Sequence, residues 1–357
     1  MQKSIDSRYS ELYTDPDCEA WKRLKQLVTE RSRTPSKKSV SGPPPLVMTT
    51  VKFNNGCECP IIGLGTYRTQ DEDGYRAVKH AIDAGYRHID TALYYQNEKE
   101  IGRAVSEKIA DGIVQREDVF LTSKLWNTFH RPDLVEPALK VTLADLRTDY
   151  LDLYLMHWPT AFQDGWNLSP KDQNGKMQFS NVDYVDTWKA MECLVDKGLV
   201  RSIGLSNFNE CQIDRILSSA RICPVNNQIE VHPYLNQKTL VDFCISKNIT
   251  VTAYRPLGGP PTEPSSPIHD PSIAALAEKH GKTPGQIMIR FLIERGIIAI
   301  PKSSNPERIK SNLNVFDFKL DENDMKILWS LDKGAKGRSI PYDVAIDHKD
   351  YPFHTNV

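Results

Sequence analysis

The strongest constraint on this chain is an alternation. From Val51 onward, short β-branched or apolar runs take turns with longer stretches of helical periodicity, the pattern of parallel strands joined by crossover helices. Eight such runs occur, at residues 62–66, 87–91, 119–122, 151–156, 202–205, 226–229, 250–253 and 297–300. Each but the last two is followed by one helical stretch. Residues 74–83 form one, stopped by Gly85, and residues 134–146 another, with Asp133 after Pro132 as its N-cap. Two helical patterns, 272–279 and 284–295, separate the seventh run from the eighth. A count of eight favours closure, so the pattern predicts an α/β fold, a (β/α)8 TIM barrel. The rival, an open dinucleotide-binding sheet, needs a glycine-rich turn that leads straight into a helix. Gly63-Leu64-Gly65 begins like that turn, but Arg68 stands at the third glycine. The two glycines read instead as a tight backbone passage leaving the first strand.

Residues 1–48 stand outside the alternation. They are polar and charged, and residues 32–45 form a Ser-, Thr-, Pro- and Gly-rich linker. Before the linker, Trp21, Leu24, Leu27 and Val28 recur at helical spacing and predict a short amphipathic helix. Isolated short helices are marginal in water, so the extension is expected to be mobile. Its acids, Asp6, Glu11, Asp15, Asp17 and Glu19, do not suit a mitochondrial presequence. The chain therefore divides into an N-terminal extension, 1–48, and a barrel, 49–357.

The net charge of -1 argues against nucleic acid as a partner. No apolar run approaches the roughly 20 residues that span a bilayer, and the first residues do not show the basic-then-apolar order expected of a secretory signal. Of the seven cysteines, only Cys57 and Cys59 lie close together, without the spacing of a zinc or redox knuckle. A cytoplasmic, metal-free enzyme is expected.

Working residues of such a barrel lie at the C-terminal ends of its strands. The polar residues there are Asp90, Lys124, His157, Ser206 with Asn207, Gln228, Tyr254 and Lys302, from seven different runs. Singly, Asp90 and Lys124 read as a structural ion pair and His157 as a core histidine. Together, at successive strand ends, they read as one site.

The segment Gly85-Tyr86-Arg87-His88-Ile89-Asp90-Thr91-Ala92-Leu93-Tyr94-Tyr95-Gln96-Asn97-Glu98 resembles the opening signature of the aldo-keto reductase family. Ser123-Lys124-Leu125-Trp126, Leu155-Met156-His157-Trp158-Pro159, Gly204-Leu205-Ser206-Asn207-Phe208, Asn227-Gln228-Ile229-Glu230 and Ile300-Pro301-Lys302-Ser303 are similar to further family segments, in order. The likeness runs from Val51 to Phe353 and points to the aldose reductase-like group. It implies NADPH-dependent reduction of aldehydes and ketones, aldoses included, by a monomer whose C-terminal tail, His348 to Phe353, lies over the barrel mouth.

What the resemblance implies makes chemical sense. A carbonyl that accepts hydride gains negative charge on oxygen and must be protonated. Tyr95 is the implied acid, with Tyr94 packing nearby. Lys124 is expected to lower the phenol's pKa, Asp90 to hold Lys124, and His157 to orient the substrate oxygen. Ser206, Asn207 and Gln228 suit a nicotinamide carboxamide, and Tyr254 offers it a ring face. Lys302, Ser303, Asn305 and Arg308 surround a predicted helix start, where a 2′-phosphate would bind. Thr66, Leu257 and Asn312 complete the implied cofactor set. Tyr67, Trp126, Trp158 and Phe162, with Ile340 and Tyr342 from the tail, read either as walls of an apolar substrate pocket or as ordinary packing. Three departures stand out. Arg255 replaces a small serine common among relatives, Ser311 replaces an acid near the adenine, and the loop 258–267 is short and proline-rich.

Two other readings remain. One is a binding or regulatory protein that keeps the cofactor site, and the other is a barrel isomerase or hydrolase. The four-residue set weighs against the first and the phosphate cluster against the second.

Overall fold

The computed structural model describes residues 49–260, 262–263 and 265–353. The helix expected around Trp21 and the linker at 32–45 lie outside the described residues.

The barrel strands are β3 (Leu64–Gly65), β4 (His88–Asp90), β5 (Phe120–Leu125), β6 (Leu153–Met156), β7 (Ile203–Ser206), β8 (Asn226–Glu230), β9 (Thr250–Tyr254) and β10 (Ile298–Ala299). Each pairs in parallel with the next in sequence, from Leu64 on Ile89 through to Ile298 on Thr252. Two parallel bridges, Ile62 to Ala299 and Gly65 to Lys302, join the first strand to the last. The sheet is therefore closed, as the count of eight predicts. The joint is tight. A Cβ on Gly65 would lie 2.7 Å from the Ile300 carbonyl oxygen, and one on Gly63 would lie 2.6 Å from His88 Nδ1. Glycine is needed here for close backbone approach, as read from the sequence.

Ten α-helices are present among the described residues: α1 (Asp71–Ala84), α2 (Glu98–Ala110), α3 (Pro132–Leu146), α4 (Tyr184–Asp196), α5 (Glu210–Leu217), α6 (Lys238–Ser246), α7 (Pro271–His280), α8 (Pro284–Glu294), α9 (Pro306–Leu313) and α10 (Glu322–Ser330). Gly85 ends α1 in the left-handed conformation at φ 110°, a Cβ-free cap that lets the chain turn into β4. At α3 the expectation fails by two residues. Arg131 is the N-cap, Pro132 is the first helical residue, and Asp133 lies in the first turn, paired with Arg131 at 2.6 Å. Proline's fixed φ starts the helix before the aspartate can cap it.

A hairpin precedes the barrel. β1 (Thr50–Lys52) pairs antiparallel with β2 (Glu58–Pro60), Val51 facing Cys59. It brings Phe53 edge-on to Phe120 at 6.0 Å, in a buried cluster with Cys59, Leu153, Leu155, Val225 and Ile298. These residues mark the N-terminal strand ends, so the hairpin closes the end of the barrel opposite the working residues. At the other end the tail crosses the mouth, and Tyr342 stacks on Trp158 with ring centroids 3.6 Å apart.

Because Phe53 is buried on the closed end, we expect Phe53→Ala to destabilise the fold by about 3 kcal/mol while leaving turnover intact. Denaturant unfolding alongside a rate assay checks this, and an unchanged midpoint would show that the hairpin is dispensable.

Candidate active site

Strand register places the polar residues. Asp90 ends β4, Lys124 lies near the end of β5, and His157 follows β6 directly. Ser206 ends β7, Gln228 lies within β8, and Tyr254 ends β9. Barrel curvature turns these neighbours toward one another. Lys124, with its side chain fully buried, donates to Asp90 Oδ1 at 2.6 Å and to the Thr91 carbonyl at 2.8 Å. Gln228 Nε2, from the far side of the barrel, donates to Asp90 Oδ2 at 2.8 Å. Both oxygens of this buried carboxylate are thus engaged, the compensation a buried charge requires. Thr66 Oγ1 donates to the Asp90 carbonyl at 3.0 Å.

Next to it lies a second network. Asn207 adopts φ 64°, a left-handed conformation that asparagine tolerates. Its Nδ2 donates to the His157 carbonyl at 3.0 Å and to Ser206 Oγ at 3.1 Å, and its Oδ1 accepts from the Tyr254 hydroxyl at 2.8 Å. Ser206 Oγ in turn donates to the Gln228 carbonyl at 2.9 Å. The expected strand-end residues from β4 to β9 are therefore tied to one another by hydrogen bonds.

Tyr95 stands in a 3-10 turn after β4 (Leu93–Tyr95). Its ring lies 5.8 Å from His157 and 5.0 Å from Tyr67, centroid to centroid, with the Lys124 ammonium 5.1 Å from its centre. One expectation is overturned here. The pKa of Tyr95 is not lowered overall. Loss of hydration and then the negative charge of Asp90 push it well above the ordinary phenol value. Paired with Asp90, the Lys124 ammonium does not outweigh burial at Tyr95. Burial likewise lowers His157 well below the usual imidazole value, with the positive charge of Lys124 adding to the effect. At neutral pH the site thus presents a protonated phenol beside a neutral imidazole. Burial also lowers the pKa of Lys124, against the pull of Asp90.

Aromatic rings wall this cluster. Trp126 lies edge-on to His157 at 5.2 Å and to Phe162 at 6.0 Å, and Tyr94 stacks on Trp126 at 3.8 Å. Trp158 carries Tyr342, whose hydroxyl accepts from Asn127 Nδ2 at 2.7 Å. Beyond them Trp166 packs on Phe129 at 4.7 Å. Ile340 packs against the core next to this wall.

The phosphate end lies at the barrel joint. Lys302 forms the closing bridge with Gly65, Ser303 is buried, and Asn305 caps α9 by accepting from the Arg308 N–H at 3.0 Å. The Asn305 oxygen is therefore used on its own helix. Desolvation first lowers the pKa of Lys302; the negative charge of Asp73 acts against this, and the positive charges of Arg308 and Arg68 lower it further. Among the described residues no ion pair joins these three cations to a carboxylate, so an anion would relieve their repulsion. Arg68, read in the sequence only as a missing glycine, belongs to this group. Leu257 and Asn312 meet around Gly285, where a Cβ would lie 3.7 Å from Asn312 Oδ1 and 3.8 Å from a Leu257 methyl. The loop after β9 is pinned back, since a Cβ on Gly258 would lie 2.5 Å from Pro267 and Ser266 Oγ donates to the Gly259 carbonyl.

With this geometry in place, comparison with known proteins is unambiguous. The sequence profile of the aldo/keto reductase family matches residues 61–333. The chain belongs to that family, and as a member it is an oxidoreductase of small-molecule carbonyl compounds. It is 49% identical over 319 residues to aldo-keto reductase family 1 member A1 of Gallus gallus, spanning 85% of this chain and 97% of the relative. To the prostaglandin-E(2) 9-reductase of Oryctolagus cuniculus it is 48% identical over 315 residues, spanning 85% and 97%. The solved aldose reductase of Schistosoma japonicum superposes with a TM-score of 0.83 at 44% identity, covering 87% of this chain and all 100% of that one. Among the described residues no helix is long and apolar enough to cross a membrane.

One residue went unmarked in the sequence reading although it lies in the signature segment. Glu98, at the start of α2, is buried and accepts from Ser123 Oγ at 2.5 Å and from Thr142 Oγ1 at 2.9 Å. Burial pushes its pKa up to about 7, from an ordinary 4.5. The folded state therefore holds this proton more tightly than the unfolded chain. Its contribution to stability is complete below about pH 4.5 and is lost as pH rises through about 7. At about 1.4 kcal/mol per pH unit the loss is on the order of 3 kcal/mol. The difference in unfolding free energy between pH 5 and pH 8 should shift by about 2.5 kcal/mol in Glu98→Gln, the native protein losing more stability toward pH 8 than the variant. An undiminished difference in that variant would assign the effect elsewhere.

Proposed function

We propose that this protein is an NADPH-dependent reductase of aldehydes and ketones, aldoses among them, with Tyr95 as the proton donor. The observation that carries the reading is the protonated Tyr95 phenol beside neutral His157, with the Lys124–Asp90 pair behind it. The cofactor, when bound, supplies the hydride. The chain's own residues do the rest. Neutral His157 can donate a hydrogen bond to the substrate oxygen and hold it toward Tyr95. A raised pKa means that Tyr95 keeps its proton until charge develops on that oxygen, and then transfers it. Buried Lys124 stabilises the phenolate left behind, and Asp90 with Gln228 fixes the position of Lys124. The aromatic wall of Tyr67, Trp126, Trp158, Phe162 and Tyr342, with Ile340, excludes water and suits an apolar substrate.

For the cofactor, Ser206, Asn207, Gln228 and the face of Tyr254 would hold the nicotinamide, with Thr66 nearby. Leu257, Ser303, Asn305 and Asn312 would surround the nucleotide, and Lys302 and Arg308 would bind a 2′-phosphate. The clustering of Lys302, Arg68 and Arg308, in excess of the single opposing charge of Asp73, supports NADPH over NADH. On this reading residues 49–357 are the catalytic unit and residues 1–48 an appendage to it.

Following NADPH oxidation with a panel of aldehydes, ketones and aldoses tests the proposal. Tyr95→Phe should lower kcat by about 100-fold or more with NADPH affinity retained, and equal rates would remove Tyr95 as the donor. Arg308→Ala should raise the KM for NADPH by about 10-fold or more and leave that for NADH in place. A parallel loss with both cofactors would move the 2′-phosphate site elsewhere.

A further inference from the structure

We propose that Glu230, Ser339 and Arg255 form a latch that fixes the C-terminal tail to the barrel and so sets which carbonyl substrates fit beneath Tyr342. The proposal rests on the reductase reading and deepens it.

Glu230 ends β8, two residues beyond Gln228, and is fully buried. A carboxylate there needs donors on every side, and the tail supplies most of them. The Ser339 N–H donates to Oε1 at 2.9 Å, the Ser339 hydroxyl donates to the same oxygen, and the Ile340 N–H donates to Oε2 at 3.2 Å. His232 Nε2 lies 3.2 Å from Oε1. Burial alone would raise the carboxyl's pKa, but the hydrogen bonds from His232 and Ser339 outweigh it and hold the group ionised.

Arg255 gives the latch its second charge. It follows Tyr254 at φ 46°, a strained conformation for a non-glycine residue. From there its Nη1 donates to Ser339 Oγ at 2.9 Å. One tail hydroxyl thus sits between a guanidinium and a buried carboxylate, accepting from the first and donating to the second. This gives a role to the arginine that replaces the small serine of many relatives. Its partner here is the tail.

The tail is fixed a second time a few residues on. Tyr342 stacks on Trp158, its hydroxyl accepts from Asn127, and the hydroxyl of Tyr351 donates to the Pro341 carbonyl at 2.5 Å. Segment 339–342 therefore runs from the ends of β8 and β9 to the loops after β5 and β6, across the mouth. Its polar end is held by Glu230 and Arg255, its aromatic end by Trp158. Freeing the polar end leaves Tyr342 held from the aromatic end alone, by Trp158, Asn127 and the Tyr351 bond to Pro341, so the wall it forms loosens. Substrates large enough to rest on that wall should sense the change, and short ones that reach only Tyr95 and His157 should not. Arg255 and Glu230 are thus positioning residues, acting through the tail.

The test compares the full-length protein with Arg255→Ser and Glu230→Gln. Three measurements are made: KM and kcat for a bulky aromatic aldehyde and for a short aliphatic one, NADPH affinity by fluorescence titration, and amide hydrogen exchange across residues 335–353. Arg255→Ser, the milder change, should raise KM for the aromatic aldehyde by about 3- to 10-fold, leave the aliphatic aldehyde and NADPH affinity within about 2-fold, and speed exchange at Ser339 and Ile340. Glu230→Gln should do the same to a greater degree. Weakened NADPH binding with unchanged KM values would make Arg255 a cofactor residue and overturn the latch. Unchanged exchange in the tail of both variants would overturn it as well. Wild-type protein inactive on every aldehyde, with tail exchange still faster in the variants, would instead count against the reductase reading while leaving the latch in place.

Discussion

The site depends on one ion pair held out of water. Lys124 and Asp90 have side-chain exposures of 0% and 2%, and taking two charges this deep costs several kcal/mol each unless every remaining lone pair and proton is matched. The barrel provides the matches from opposite sides: Gln228 from β8 for the second carboxylate oxygen and the Thr91 carbonyl for the ammonium. The pair is therefore stable only when the sheet is closed around it. An ammonium paired with its carboxylate does not outweigh burial at Tyr95. The phenol stays protonated through burial, and Lys124 offsets only part of the cost of removing that proton.

Much of this was legible from the amino acids. The alternation of strand and helix patterns marked all eight barrel strands, because buried parallel strands carry near-continuous apolar runs. The strand-end residues Asp90, Lys124, His157, Ser206, Asn207, Gln228 and Tyr254 fell where the fold gathers them. Boundaries were less legible. The joint strands are only two residues long, extended by the single bridges at Ile62 and Gly65, and proline rather than aspartate opened α3. The hairpin at the closed end had a signal that was passed over, Asn55-Gly56 between two short strands.

Other features have no local signature. Glu230 and Ser339 are 109 residues apart, and nothing in either neighbourhood announces the other. Arg68 looked like a flaw in a glycine motif until the closed sheet placed it near Lys302. The direction of the Tyr95 shift depended first on how deeply the phenol is buried, which only the closed barrel reveals. Each is a consequence of closure, not of sequence pattern.

The joint itself has a temporal consequence. Ile62 pairs with Ala299 and Gly65 with Lys302, contacts between nearly opposite ends of the barrel sequence. Such long-range pairings form late, since the entropy of closing so large a loop must be met before they stabilise anything. Lys302 and the tail are also synthesised after strands β3 to β10. A nascent chain can therefore assemble β4 to β9, with the ion pair and most of the ring of polar residues, before it has a phosphate end or a covered mouth. The pocket is finished last, from its C-terminal side.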